Sequence, residues 1–66
     1  MKDVRERAID HVVEVLRTAH DWQEAQHALA DHPEFGPWIV TQCGGDEMAE
    51  VTMCQALIGH AEERSQ

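Results

Sequence analysis

Apolar residues recur at helical intervals along most of this chain, and the widest apolar face lies near its C-terminal end. The stretch Val51–Ala61, VTMCQALIGHA, carries no formal charge in a chain that is 27% charged. Placed on a helix at about 100° per residue, its apolar side chains cover an arc of roughly 160°, wider than the stripe of an ordinary surface helix. Asp46 is suited to cap this helix, and Glu47 and Glu50 would meet the positive end of the helix dipole. The pattern therefore predicts a central helix over residues 46–63.

The N-terminal part of the chain predicts a second amphipathic helix, over residues 4–20. Apolar residues recur there at steps of three and four between Val4 and Ala19, and they fill nearly half of the helix circumference. At 1.5 Å per residue, side chains four positions apart on the opposite face lie about 6 Å from one another. That face carries a row of four acidic residues: Asp3, Glu6, Asp10 and Glu14.

A capping box predicts where the next helix begins. The carboxylate of Asp21 can accept from the third helical amide, while Glu24 reaches back toward the start of the helix. We predict this helix over residues 22–31, as a peripheral element with a narrow apolar stripe. Its inward-facing residues would be Trp22, Ala25 and Leu29.

Prolines break the chain before a short third helix. Pro33 ends the helix behind it, and Gly36-Pro37 makes another corner. Pro37 suits the first position of a helix over residues 37–43, which the two following glycines would close in a left-handed conformation. A strand is the alternative, because Trp-Ile-Val-Thr is β-prone, yet a lone strand could pair only with its copy in a dimer.

These elements predict an all-α fold, a small bundle of three or four helices (about 4–20, 22–31, 37–43 and 46–63), with residues 1–66 as a single helical domain. A chain of 66 residues buries only about 60% of the surface that it exposes when unfolded. Its apolar arcs look too wide for a lone monomer, so we expect a homodimer. The dimer interface would contain Val51, Ile58 and Gly59.

The charge distribution favours a protein partner. Thirteen acidic and five basic residues give a net charge of −8, and Thr18–Glu63 contains nine acids but no Lys or Arg. Such a negative field repels nucleic acid and anionic membranes, so we expect neither as a direct partner. We predict a non-enzymatic acidic protein-interaction module that binds a basic surface of a partner protein.

The acidic row on the first helix is the predicted contact surface. Its pitch is comparable to that of phosphates along one nucleic-acid strand, so one form of the hypothesis is nucleic-acid mimicry. Size, acidity and helical make-up are in the range of small phage and plasmid proteins that inhibit host nucleic-acid machinery, which is an analogy of size and charge. Trp38 would anchor the interface if its indole is exposed, since Trp is enriched among binding hot spots. The predicted binding residues are Asp3, Glu6, Asp10 and Glu14, with Glu24 and Asp31 as secondary contacts.

Two other functions fit the residues. The first is a structural or assembly protein that binds through the apolar helix surface containing Val51, Ile58 and Gly59. The second is a small metal-binding module. If the first two helices were continuous, His20, Glu24, His27 and Asp31 would share one face, and imidazoles with carboxylates are the usual nitrogen and oxygen ligands of divalent transition metals.

The sequence contains no catalytic motif. It has no Gly-rich phosphate loop, HExxH, GxSxG or paired CxxC, and Ser65 is the only serine. Cys43 and Cys54 match neither a zinc ribbon nor a disulfide framework, and the charged N-terminus is unlike a signal peptide. We therefore expect no enzymatic activity, no cofactor and a reducing cytoplasmic environment.

Overall fold

Four α-helices joined by short turns make up the chain. A computed structural model describes all 66 residues, with α1 at Val4–Leu16, α2 at Trp22–Ala30, α3 at Phe35–Cys43 and α4 at Glu47–Ser65. The all-α prediction is confirmed, and the β-prone Trp-Ile-Val-Thr segment is helical. The helix α4 contacts each of the other three helices, as expected for the central element.

The core is made only of apolar side chains, and every helix contributes to it. No polar or charged residue is buried. The predicted inward positions of α4 are largely correct, whereas Trp22 on α2 is 46% exposed instead of facing inward. The buried residues are Ala8, Ile9, Val12, Ala25, Leu29, Phe35, Ile39, Cys54, Leu57, Ile58 and Ala61.

The first helix is shorter than its apolar pattern predicted, ending at Leu16 rather than at residue 20. The capping box of the next helix explains this. Asp21 adopts an extended backbone (φ −153°, ψ 175°) and accepts from the amide of Glu24 at 3.1 Å. The carboxylate of Glu24 in turn accepts from the backbone N–H of His20 at 3.1 Å. These bonds hold residues 20 and 21 outside the helical conformation, so α1 cannot run on through them.

The third helix begins at Phe35, two residues earlier than predicted. A residue before proline normally avoids the helical region because its Cβ meets the proline ring. Gly36 has no Cβ, which relieves this clash. Pro37 then lies in the first turn, where its missing N–H has no helical partner to lose.

Gly36 also brings α3 against the end of α2. A Cβ at this position would lie 2.3 Å from the carbonyl oxygen of Ala30, so the close approach of the two backbones requires glycine. At the other end of α3, Gly44 has φ +61° and closes the helix in the predicted left-handed conformation. Together these glycines position α3 between α2 and α4.

None of the four helices is both long enough and apolar enough to cross a lipid bilayer.

Candidate protein-interaction site

The acidic row predicted as the contact surface lies on α1, but three of its four carboxylates are engaged within the protein. Asp3 caps α1 by accepting from the backbone N–H of Glu6 at 2.8 Å. Arg64 reaches over from α4 and pairs with Glu6 at 2.5 Å and with Asp10 at 2.9 Å. Lys2 adds a second cation to Asp10 at 2.5 Å. A partner's basic groups would have to displace these contacts.

These ion pairs shift the pKa values of the groups that form them. The hydrogen bond from Lys2, supported by the charges of Lys2 and Arg64, holds the pKa of Asp10 below its ordinary value. The hydrogen bond to Glu6 likewise raises the pKa of Arg64. Glu14, the last member of the row, pairs only loosely with Arg17 at 3.6 Å. The row therefore forms a largely self-neutralised face, which we call the ion-paired face (Lys2, Glu6, Asp10 and Arg64).

Most of the remaining negative charge has no such partner. Four of the thirteen acidic side chains lie within 4 Å of a Lys or Arg nitrogen, which leaves nine without one. Between Thr18 and Glu63 the single paired acid is Glu34, which Arg7 contacts at 2.6 Å. The uncompensated charge thus belongs mainly to α2, α4 and the turns beside them.

The larger of two surface hollows is a groove of about 680 Å³ among α2, α3 and α4. The helix α4 lines it with Glu47, Glu50, Val51 and Cys54, which are spaced as one helix face. The α3 wall includes Val40, which is 46% exposed, while Val51 opposite is 36% exposed. No Lys or Arg lines the groove. We call this hollow the acidic groove; its other lining residues are Gln26, Ala30, Gly36, Pro37, Ile39 and Thr41.

A thiol forms part of the groove floor. Cys54 is buried, and the burial raises the pKa of its thiol. Cys43, half-buried, has its Sγ 3.8 Å from the Sδ of Met53. A neutral thiol behaves as a small apolar group, so the floor of the acidic groove is apolar and its charge is confined to Glu47 and Glu50.

The second hollow lies between the start of α2 and the C-terminal half of α4. It measures about 500 Å³ and is lined by Asp21, Trp22, Gln55, Ile58 and Glu62. It repeats the chemistry of the acidic groove, because an exposed apolar side chain, Trp22, stands beside two carboxylates and no cation. We call it the tryptophan hollow.

Of the three other predicted binding residues, Glu24 and Trp38 have structural roles, while Asp31 is exposed. Glu24 is bound to the backbone of His20, and Asp31 is the exposed C-cap of α2. Trp38 is half-buried and packs against the core, so its indole is not a free anchor. The more exposed indole is that of Trp22.

The three residues predicted for a dimer interface do not share one surface. Val51 lines the acidic groove, and Gly59 is exposed, with nothing within 4 Å of a Cβ built on it. Ile58 is only 3% exposed because it packs in the core. In the single chain it therefore offers little surface to a second copy.

The alternative metal site also required a geometry that does not form. Because α1 ends at Leu16 and α2 begins at Trp22, His20 does not continue the helix that carries Glu24 and His27. No group of three or more His, Cys, Asp or Glu side chains is arranged to hold a metal ion. The condition for that row of ligands, one helix running through His20, Glu24 and His27, is therefore not met.

Two histidines hold the start of α3, one wall of the acidic groove. The Nδ1 atom of His32 accepts from the backbone N–H groups of Glu34 and Phe35 at 3.0 and 3.1 Å. Its ring stacks on Phe35 at 4.1 Å and meets His11 of α1 edge-on at 4.8 Å. Burial, and secondarily the charge of His32, lowers the pKa of His11. This environment favours the neutral form of the His11 imidazole.

The sequence interpretation missed the residues that line the two hollows. It placed Glu47 and Glu50 only in the first turn of α4, and it predicted that Trp22 faces inward. The signal that could have identified them is the absence of Lys and Arg from Thr18 to Glu63, which leaves the acids of that segment few cations to pair with.

Comparisons with known proteins give no relative from which a function could be transferred. No protein-family model matches the chain, and neither the curated proteins nor the solved structures contain a significant match.

Proposed function

We propose that this chain is a non-enzymatic acidic interaction module that binds a basic surface of a partner protein. One observation carries the proposal: both surface hollows combine exposed apolar side chains with two carboxylates, and neither is lined by Lys or Arg. The proposed contact surface is thus the α2–α4 side of the molecule, with Glu47, Glu50, Asp21 and Glu62 as its charged groups.

Electrostatics gives these carboxylates a role that the ion-paired face cannot fill. An arriving Lys or Arg gains attraction at Glu47 or Glu50 without breaking an existing pair, whereas at Glu6 or Asp10 it must displace Arg64 or Lys2. Unpaired charge on a body of net charge −8 also steers a basic partner during encounter. Exposed charges are screened over about 8 Å at physiological ionic strength, so the association weakens as salt is added.

The apolar side chains supply the rest of the affinity. Exposed rim charges change the association rate more than the strength of a complex, whereas burying a valine or a tryptophan contributes directly to it. Val40, Val51 and Trp22 are exposed by 46%, 36% and 46%, which makes them available to a partner. We place the module in the reducing cytoplasm, where Cys43 and Cys54 stay free thiols.

Affinity capture from an extract of the source cell, at low and at high salt, tests the proposal. The bait is compared with Glu47→Gln/Glu50→Gln and with a matched control, Glu14→Gln/Glu63→Gln. Both double variants remove two charges from helix positions outside the core, but only the first changes a hollow. We expect a basic protein that is retained by the wild type and the control, and lost from the groove variant and at high salt.

Two results would contradict the proposal. The first is equal retention by the groove variant and the control. The second is that the captured proteins are not basic or resist high salt. Circular dichroism of each variant verifies that helicity is intact, so that a loss of binding cannot come from unfolding.

Nucleic-acid mimicry is the more specific form of this function. In that case the captured protein handles nucleic acid through the same basic surface, and the module acts as its inhibitor, as small phage or plasmid proteins do. Added DNA or RNA then competes with the module for the partner. Retention that nucleic acid leaves unchanged would remove mimicry but keep the interaction module.

Assembly through apolar surfaces is the second candidate function. It is favoured by the exposure of Val40, Val51, Trp22 and Met48, the last of which is 77% exposed. Association of this kind is insensitive to salt, and in a homodimer it depends on protein concentration. Sedimentation at several concentrations separates it from the acidic module.

A further inference from the structure

We propose that the acidic groove receives an amphipathic helix of the partner, with its apolar stripe on Val40 and Val51 and Lys or Arg beside Glu47 and Glu50. This inference rests on the proposed function, because it names the form of basic partner that one of the two hollows accepts. It assigns the tryptophan hollow no part in binding this helix.

The groove is present in the folded chain without a partner. Its volume of about 680 Å³ leaves room for side chains of a partner to enter. The α2–α3 corner that forms part of its wall is closely packed, because the backbones at Gly36 and Ala30 approach too closely for a Cβ. A partner therefore meets a shaped surface and does not have to order it first, which lowers the cost of binding.

The lining of the groove selects a helix over an extended segment. An extended peptide needs backbone donors and acceptors to pair with, but all three walls are helices, and most of their backbone groups are bonded within the helix itself. The hydroxyl of Thr41 is also engaged, donating to the carbonyl of Pro37 at 2.9 Å. A helix satisfies its own backbone, so it can lie on the apolar floor without leaving polar groups unpaired.

The charge on the groove selects an external partner over a second copy of the chain. Two copies would bring together bodies of net charge −8 each, and a two-fold contact centred on the groove would bring the carboxylates of both copies into one interface. Like charges in an interface oppose association. A basic helix instead places cations beside two carboxylates that have no cation within the protein, while its stripe covers the half-exposed valines.

A pair of synthetic peptides tests the form of the occupant. The first is an amphipathic Leu/Lys peptide of about 14 residues, which spans roughly 21 Å as a helix, with its leucines in one stripe. The second has the same composition, with the leucines spread evenly around the helix. We expect the fluorescently labelled striped peptide to bind more tightly in an anisotropy titration, and its helical circular-dichroism signal to rise on binding.

Two variants of the protein locate the contact. Val40→Thr/Val51→Thr keeps the shape of both exposed side chains but makes them polar, and we expect it to weaken the striped peptide about tenfold. The control Met48→Gln removes an exposed apolar side chain that lines neither hollow, and it should leave binding unchanged. Because all three side chains are at least 36% exposed, neither variant empties the core.

Each outcome decides something. Suppose that both peptides bind equally, and that salt and Glu47→Gln/Glu50→Gln weaken this binding while the valine variant does not. This result overturns the helix proposal but supports the acidic interaction module. If neither the carboxylate variant nor the valine variant weakens peptide binding, both the helix proposal and the acidic interaction module are overturned. A bound peptide that gains no helicity, or no binding of the striped peptide, contradicts the helical occupant. A wild-type dimer that the valine variant abolishes assigns the groove to a second copy instead.

Discussion

The two sides of this molecule use the same residue types to different ends. On the ion-paired face, Glu6 and Asp10 meet Arg64 and Lys2 at 2.5 to 2.9 Å, and the charges contribute to holding α1 on α4. In the acidic groove, Glu47 and Glu50 meet no cation of the protein. A count of charges cannot separate the two, since both are helix faces rich in acids. The two faces differ in whether the fold places a Lys or Arg side chain beside the acidic residues.

The difference lies in where the few cations are placed. All five Lys and Arg residues lie within the first seventeen positions or at position 64, so only the helices near these positions can be neutralised. The side assembled from α2, α3 and the first half of α4 keeps its charge. This separation predicts that the two sides respond differently to mutation, pH and salt.

The largest expected effect comes from the backbone contact beside the acidic groove. In Gly36→Ala the new Cβ would meet the carbonyl oxygen of Ala30 at 2.3 Å, so α2 and α3 must separate. We expect the free energy of unfolding to fall by about 1–3 kcal/mol, as in other overpacked sites. Urea denaturation measures this loss, and any binding at the acidic groove should weaken with it.

Gly59→Ala is the matched control for that substitution. Gly59 is an exposed residue in the middle of α4, and nothing lies within 4 Å of a Cβ built on it. Alanine is favoured over glycine in a helix by about 1 kcal/mol, so this variant should be more stable than the wild type. Equal effects of the two substitutions would show that the α2–α3 contact is looser than described.

We expect a smaller, pH-dependent effect on stability from the contact of His11 on α1 with His32 and Phe35 at the start of α3. The pKa of His11 is lowered from its ordinary value of 6.5 in the folded protein, so the unfolded chain takes up the proton first. Stability therefore falls as the pH drops below about 6.5 and stops falling below the folded pKa. Urea midpoints measured between about pH 8 and 5 should follow this course.

Replacing each histidine separately identifies the source of the pH dependence. In His11→Gln the slope of stability against pH should be flatter. His60→Gln, at an exposed position of α4, is the matched control for the loss of one imidazole. An unchanged slope in His11→Gln would assign the effect to other groups.

The smallest effect is expected on the ion-paired face. Arg64→Gln removes both contacts to α1, yet the partners are 38% exposed, and exposed pairs contribute little to stability. We expect a slight fall in the melting temperature at low salt that disappears at high salt. Because the pKa of Asp10 is lowered in the folded protein, its ion pairs stabilise the fold fully only above its ordinary pKa of 3.8. This stabilisation is lost as the pH falls from 3.8 through the folded pKa. A large, salt-resistant loss would show that Arg64 acts by packing.

Much of the fold could be predicted because local signals were strong. The predicted caps at Asp21 and Asp46 both accept from helical amides, and the left-handed Gly44 closes α3. The apolar arc of α4 matched its buried face. The errors came where one local signal overrode another: the capping box stopped α1 early, and a glycine allowed α3 to start before its proline.

The candidate site was harder to predict, since it depends on contacts between distant positions. Arg64 lies 54 and 58 positions from Asp10 and Glu6, and nothing in the spacing of the acids on α1 indicates that a cation will reach them. Trp22 belongs to the apolar stripe of α2 yet remains exposed. The apolar periodicity indicates on which side of the helix a residue lies, but not whether another helix packs against it there. Which acids stay free is decided only when the helices pack.

The thiol in the floor of the acidic groove gives this surface a chemical handle. Because burial keeps Cys54 protonated and poorly reactive, free reagents should modify it slowly, while a disulfide-bearing fragment that resides in the groove would be held beside it. Replacing Cys43 with alanine would leave one sulfhydryl for such covalent trapping. The molecule thus supplies its own attachment point for discovering small compounds that compete with whatever occupies the groove.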